Sequence, residues 1–303
     1  MRDTFITELV RQAEMDDRIF LITPDIGFSV LEKFRDRFPD RFLNVGIAEQ
    51  NAVGVAAGLA LSGKIVYVYS IVPFVTMRCF EQVRVDLAYM NTNVRMVGVG
   101  AGFSYGPAGA THHSIEDIAI MRCLPNMTVC CPGDPVEVEA IISQSVNHSG
   151  PMYIRLGKNR EPKIHSQEAV LTIGKAVEVV EGQDVCIFTT SNMLELGHKW
   201  TKELALRGVS SSLISMHTMK PFDTQAVLDV INLGMPIVTL EEHNVIGGLA
   251  SAVSEVIAES GKGVKFKKIG IPDVFSHVVG DHEFVRNKII LNGDKIQELI
   301  DWL

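Results

Sequence analysis

The stretch Phe42-Leu43-Asn44-Val45-Gly46-Ile47-Ala48-Glu49-Gln50-Asn51 runs without a break into Ala52-Val53-Gly54-Val55-Ala56-Ala57-Gly58-Leu59-Ala60. Its second half is almost wholly Ala, Gly, Val and Leu. Small residues at Gly54, Ala57 and Gly58 let a helix lie close to its neighbours, so the pattern predicts a buried helix with Glu49 at its head. A carboxylate in that position is costly unless it is paired, protonated or used in a reaction. Two readings are open on these residues alone: a first-turn acid that complements the helix dipole, or a reacting group.

Working outward, Phe5, Leu9 and Ala13 fall on one helical face, and Ile19–Thr23 reads as a buried strand. Asp25–Ser29 follows at that strand's carboxyl end, the edge where open α/β sheets bind ligands. After the Glu49 helix come a strand at Ile65–Tyr69, an interruption at Pro73-Phe74, a helix over Met77–Met90 and a strand at Val94–Val99. A Gly-rich loop, Gly100 to Gly109, ends at Thr111-His112-His113-Ser114, with Glu116-Asp117 in the first turn of a helix. Asn126–Cys131 is another strand, and Asp134-Pro135-Val136-Glu137 is a helix start with an Asp cap and Pro at the first position. Met152–Leu156 closes the first unit. From Gly157 to about Thr172 the chain turns polar and loses its period, which sets domains at 1–160 and 173–303 with 161–172 as linker. A second βαβ series follows: strands at Val185–Thr190, Ser211–Ser215 and Pro236–Leu240, a helix from Asp223, and one opened by Gly247-Gly248. The fold class is therefore α/β, as two doubly wound domains.

Composition bounds the function. A chain of 303 residues supports about two domains. Net charge of -8 with no basic cluster argues against a nucleic-acid partner. Hydrophobic residues reach 47% and mean hydropathy is +0.19, yet no apolar run is long enough to span a membrane. The apolar excess is assigned to sheet interiors and a subunit interface. Met1-Arg2-Asp3-Thr4 opens into a helix pattern with no signal-peptide core, and the five cysteines show no C-x-x-C spacing. Both point to a reducing, cytoplasmic setting, with Cys130 and Cys131 packed at a strand end. His112 and His113 diverge as neighbours and lack a carboxylate–His spacing, so they are not read as metal ligands.

Together, Asn44-Val45-Gly46-Ile47-Ala48-Glu49-Gln50-Asn51 and the Ala-Gly helix resemble the glutamate motif of thiamine-diphosphate enzymes of the transketolase family. Gly109–Arg122 resembles that family's G-x-T-H-Q segment, Arg78–Arg84 its following helix, and Glu241-Glu242-His243 with Gly247-Gly248 a segment of its C-terminal domain. The resemblance implies a pyrimidine-binding domain followed by a transketolase C-terminal domain, and transfer of a two-carbon ketol unit from a ketose to an aldose. It implies that Glu49 hydrogen-bonds the cofactor's aminopyrimidine ring and favours the imino tautomer. Ile71, Val72 and Phe74 would wall that ring with Arg78 beside them. Glu81 and Arg84 would serve an interface or ion pairs. His112 would contact the donor sugar, with His113 in place of a common Gln, and Arg2 and Ser29 match phosphate contacts. His243 and Gly247-Gly248 are assigned to structure rather than catalysis.

The chain lacks the Gly-Asp-Gly segment and downstream Asn that hold diphosphate through Mg²⁺. The resemblance thus implies a split enzyme: no metal site in this chain, a partner that is the N-terminal transketolase section, and a heterotetramer built on a dimer of this chain. Ala108 stands where the family carries an acid, and Cys131 where it carries an Arg. Those departures imply an unusual sugar, unphosphorylated or nucleotide-linked, held with a weaker anion grip. The rivals are the beta subunit of a 2-oxo-acid dehydrogenase decarboxylating component, a deoxyxylulose-phosphate-synthase-like fragment, and a non-catalytic scaffold; Thr111-His112-His113-Ser114-Ile115-Glu116-Asp117 favours the transketolase reading.

Overall fold

The computed structural model describes residues 1–166 and 169–303, so Gln167 and Glu168 of the expected linker lie outside the described residues. The strands are β1 (Ile19–Thr23), β2 (Phe42–Asn44), β3 (Ile65–Ile71), β4 (Val94–Val99), β5 (Thr128–Cys130), β6 (Met152–Leu156), β7 (Val177–Val180), β8 (Val185–Thr189), β9 (Ser211–Ser215), β10 (Thr218–Lys220), β11 (Ile237–Asn244) and β12 (Phe266–Ile271). β3, β4 and β6 are rich in β-branched and aromatic residues and buried at every position, as strands covered on both faces must be. They form the middle of a seven-stranded sheet ordered β10-β5-β6-β4-β3-β1-β2, parallel except for β10. The second sheet is ordered β12-β11-β8-β9-β7, with β7 antiparallel at its edge. This is the doubly wound α/β pair expected from the alternation of elements.

In the first sheet the chain goes outward from β1 to β2 and then crosses back to β3. Strand order therefore reverses between β1 and β3, and the loops leaving their carboxyl ends diverge to open a crevice. Helix starts follow the caps read from sequence. Asp134 Oδ1 accepts the Glu137 N–H at 2.9 Å, and Asp223 caps the Thr224–Asn232 helix. Asp134 also accepts the N–H groups of Ile164 and His165 through Oδ2, at 2.8 and 2.9 Å, so this part of the polar linker is tied to the first domain. No helix among the described residues is long and apolar enough to cross a membrane.

Three features depart from the sequence reading. Phe42–Asn44, read only as an apolar lead-in to Glu49, pairs with β1 as an edge strand. The single helix expected over Met77–Met90 is instead a turn, a short helix at Phe80–Gln82 and a π-helix at Val83–Tyr89. The break has a local cause: the Gln50 amide donates to the Arg78 carbonyl at 3.1 Å, and the Arg78 N–H reaches back five residues to Pro73. Third, β11 runs past Leu240 to take in Glu241, Glu242 and His243, and β10 from the second half of the chain closes the edge of the first sheet.

The two sheets meet at Arg155, on β6, whose side chain is fully buried. Its guanidinium donates to Asp117 Oδ2 (2.8 Å), Ser191 Oγ (3.0 Å) and the carbonyls of Ser114 and Glu242 (3.0 Å each). Tyr153 and Ser114 hydroxyls donate to Asp117 at 2.6 Å each. Burial pushes the Asp117 carboxyl up; the Arg155 charge, His243 and the hydrogen bonds from Arg155 and Ser114 outweigh it and hold the group below the usual range. Removing one member of a buried pair strands the other, so Arg155→Met should cost about 3–5 kcal/mol. Urea unfolding of the purified chain checks this, and a loss under about 1 kcal/mol would mean that water solvates Asp117.

Candidate active site

Glu49 is the first residue of the Glu49–Leu61 helix, reached from β2 through Gly46 at φ 74°. Asn44 sets that turn: its Oδ1 accepts the N–H groups of Asp25 and Gly46 at 2.9 and 3.0 Å, and its amide donates to Asp25 at 2.9 Å. The loops after β1 and β2 are thereby locked together at the crevice. Ala48 offers no capping side chain, so the head of the helix presents Glu49 itself, only 7% exposed. Its carboxylate meets one ion-pair partner among the described residues, Arg78 Nη1 at 3.0 Å, an arginine whose side chain is 46% exposed.

Arg78 also lies over the Phe74 ring, 4.1 Å from its centroid. The other side of this wall is the His112 imidazole, edge-on to Phe74 at 5.1 Å and 68°. Thr111 Oγ1 bonds His112 Nδ1 at 2.9 Å, and Nε2 has no protein partner among the described residues. Tyr105 tilts against His112 at 6.0 Å, and Lys158 Nζ sits 4.0 Å above the Tyr105 ring. Glu49, Arg78, Phe74, His112, Tyr105 and Lys158 thus line up across the carboxyl ends of β2, β3, β4 and β6.

Arg2 completes one end. Burial raises the Tyr69 and Tyr105 phenols, and the nearby Arg2 charge opposes both shifts. Burial lowers the Lys158 ammonium, and Arg2 lowers it further. Two cations stand near each other, and among the described residues neither forms an ion pair within 4.0 Å of a carboxylate. Tyr105 and Lys158 escaped the sequence reading. The signal was available for Lys158, which follows β6 at the same strand edge that drew attention to Asp25–Ser29.

The remaining residues singled out by sequence are placed as follows. Ile71 is 6% exposed, whereas Val72 is wholly in the core, so it departs from the expected cofactor contact by having no surface to offer. Ser29 is exposed at φ 62°, donating its N–H to Glu32 at 2.8 Å, and Gly27 of its loop lies against Tyr69. His113 departs from the expected sugar contact. Its ring is buried, edge-on to Phe103 at 5.0 Å, and burial lowers its pKa. Glu81 and Arg84 are exposed, and neither joins an ion pair among the described residues.

His243 is a structural residue: Nδ1 bonds the Asn244 carbonyl at 2.7 Å, and Nε2 accepts the Ala119 N–H at 3.3 Å. The helix after Gly248 does cradle an anion, but it is the chain's own Glu241, which accepts the N–H groups of Leu249 and Ala250 at 2.7 and 2.8 Å. Burial pushes that carboxyl up to about 7 against those two donors.

A cofactor of the kind the sequence implies fits one end of this wall. A nearly buried carboxylate beside an aromatic face suits a protonated heteroaromatic ring. No group of three metal-ligating side chains lies among the described residues of this wall. Among the described residues, the one cluster of three side chains with metal-ligating atoms is Asp134, Glu137 and His165. It is buried under the linker, away from the wall. Its carboxylates already accept from Gly133, Glu137, Ile164, His165 and Ser215.

Comparison with known proteins identifies two family domains in the chain. Residues 1–162 match the description "Transketolase, pyrimidine binding domain" and residues 174–296 "Transketolase, C-terminal domain". A 6-deoxy-6-sulfo-D-fructose transketolase subunit from Clostridium sp. (strain MSTE9) is 38% identical over 297 residues, 98% of this chain and 92% of that one. An apulose-4-phosphate transketolase subunit from Actinobacillus succinogenes is 37% identical over 284 residues, 93% and 91% of the two chains. A solved structure described as a split gene transketolase, inactive beta4 tetramer, superposes with a TM-score of 0.84 at 36% identity, covering 91% of this chain and 90% of its own. The chain belongs to the transketolase family, as a subunit that comprises its pyrimidine-binding and C-terminal domains.

Proposed function

We propose that this chain is the half of a split transketolase that binds the pyrimidine end of thiamine diphosphate and handles the sugar, while a partner chain supplies the diphosphate and Mg²⁺ site. The observation that carries the reading is Glu49: a carboxylate 7% exposed, at the first turn of a helix, on one wall with Phe74 and His112. When bound, thiamine diphosphate supplies a nucleophilic carbon for two-carbon ketol transfer. Glu49 holds the proton at a ring nitrogen of the pyrimidine, and Phe74 provides the flat apolar face. Arg78 covers both in this structure; being solvent-exposed, it yields that place at little cost. His112, oriented by Thr111, moves a proton at Nε2 to or from a sugar oxygen.

Arg2 and Lys158 hold an anionic group at the far end of the sugar. This revises the expectation drawn from Cys131, because the second cation comes from the end of β6. The names of the two relatives fit such a site, since one acts on a sulfo sugar and the other on a sugar phosphate. The sugar proposed here is thus a phosphorylated or sulfonated ketose, in place of the unphosphorylated or nucleotide-linked one that the Cys131 departure implied.

Assembly follows from the same helix. Gly54 and Gly58 lie on its exposed face with open space where a Cβ would stand. Glycine inside a helix costs about 1 kcal/mol relative to alanine, so two on one outer face point to close packing against a second copy. A dimer of this chain, flanked by two partner chains, makes the heterotetramer.

Three outcomes test the reading. The chain alone, titrated with thiamine diphosphate and Mg²⁺ in a calorimeter, should bind weakly and turn nothing over; tight binding and ketol transfer without a partner would sink the split-enzyme reading. In the assembled complex, Glu49→Gln should lower the rate by about a hundredfold or more, the scale of a lost acid–base group. Cofactor C2 proton exchange followed by NMR, if retained in that variant, removes Glu49 from the role. Lys158→Met should raise KM for a sugar phosphate by about ten- to a hundredfold, the worth of one charged hydrogen bond, with kcat little changed. An unaltered KM would mean that Lys158 does not face the substrate.

A further inference from the structure

The loop that delivers His112 is held from the second domain. Gly102 and Ser114 close its base by exchanging backbone hydrogen bonds, at 3.1 and 2.9 Å. Inside the loop, the Phe103 N–H donates to Glu242 Oε1, on β11, at 2.6 Å. Gly102 has a φ of 58°, and a Cβ there would collide with the Glu242 carboxylate, so the loop backbone rides directly on that side chain. The Glu242 carbonyl accepts from Arg155 Nη2, and the same nitrogen donates to the Ser114 carbonyl. One strand residue therefore holds both the interior and the closing end of the loop.

Glu242 is itself clamped. His282 Nε2 lies 2.7 and 3.0 Å from its two oxygens, and Arg286 Nη1 lies 3.7 Å from one of them. Burial pushes the Glu242 carboxyl up, and His282, Arg286 and the Phe103 N–H together hold it below its ordinary range. The segment leading into the His282–Ile289 helix also presses on the loop, because Gly106 lies against the Gly280 carbonyl with no room for a Cβ. Phe103, fixed through its N–H, carries the ring that meets His113, the neighbour of His112.

We propose that Glu242 is a positioning residue for the transfer reaction: from the second domain it fixes the Gly100–Ser114 loop so that His112 stays against Phe74, without touching the substrate. This rests on the role given above to His112, and it assigns the second domain a part in catalysis beyond completing a subunit interface. A buried charged acceptor is more than scaffolding here, because the loop it holds has three glycines, Gly100, Gly102 and Gly106, at which a side chain would collide with its surroundings.

The test joins hydrogen exchange on the full chain to kinetics of the assembled complex. Glu242→Ala should speed exchange of amides 101–105 by about tenfold or more, with β8 unchanged. It should lower kcat by about a hundredfold, the cost of misplacing a catalytic group by roughly an ångström, while cofactor affinity holds. Glu242→Gln keeps an acceptor for the Phe103 N–H and should restore most of both losses. Gly102→Ala displaces the carboxylate without removing it; it should reproduce the phenotype, and the double variant should be no worse than either single one. It also serves if Glu242→Ala fails to fold. Exchange at 101–105 that is unchanged in both single variants overturns the proposal, as does a loss of kcat that Glu242→Gln does not rescue. If the complex proves inactive in ketol transfer, the exchange result still decides whether Glu242 holds the loop, so the two failures are distinguishable.

Discussion

The buried pair of Arg155 and Asp117 is the constraint on which the rest depends. A guanidinium and a carboxylate taken fully out of water are tolerated only when every donor and lone pair finds a partner. Here the partners come from the loop after β4, the 3-10 turn after β8 and the backbone of β11. Satisfying one charge therefore draws the two sheets together at the ends of their strands. Ser114, which closes the base of the His112 loop, belongs to this knot, so the site inherits rigidity from an electrostatic necessity rather than from apolar packing alone.

That arrangement explains why the wall is shared among four strand ends. Parallel strands send successive loops out at the same edge, and the reversal of strand order between β1 and β3 parts them. Glu49, Phe74, His112 and Lys158 are far apart in sequence, yet each follows a strand by a short connection or a loop pinned at its base. The chemistry is thereby separated from the scaffold: the strand interiors are buried and mostly apolar, the polar side chains within them, such as Arg95 and Arg155, are spent on internal hydrogen bonds, and the groups that face the crevice begin where the strands stop.

Much of the fold was legible because it is local. The Ala-Gly helix with Glu49 at its head, the Asp134 and Asp223 caps and the apolar strands all announce themselves within a few residues. What escaped is long-range. β10 is three residues with no period to read, and it becomes a strand only by meeting β5. Glu242 belongs to a family-like segment, but its contact is hidden until the fold sets it under Phe103, 139 residues away in sequence. Within the site, Glu49, Phe74, Arg78 and His112 were visible through their motifs and lie together, whereas Tyr105 and Lys158 carry no motif. Their proximity to Arg2 exists only once β4 and β6 are neighbours. His113, whose role the motif left open, turns inward against Phe103, in keeping with the divergence expected of adjacent side chains.

The placement of β10 bears on how the chain comes to be folded at all. The first sheet is not finished when its own six strands are made; its outer edge at β5 waits for Thr218–Lys220, which follow three strands of the second half. During synthesis the amino-terminal half must stand with an unpaired, apolar edge until those residues emerge, a condition that invites strand addition from other chains. For the same reason the polar linker is not a seam along which the protein divides. A cleavage there would leave one piece with an open edge and the other with a strand that has nothing to pair with, so the two domains, distinct in architecture, are a single unit of folding.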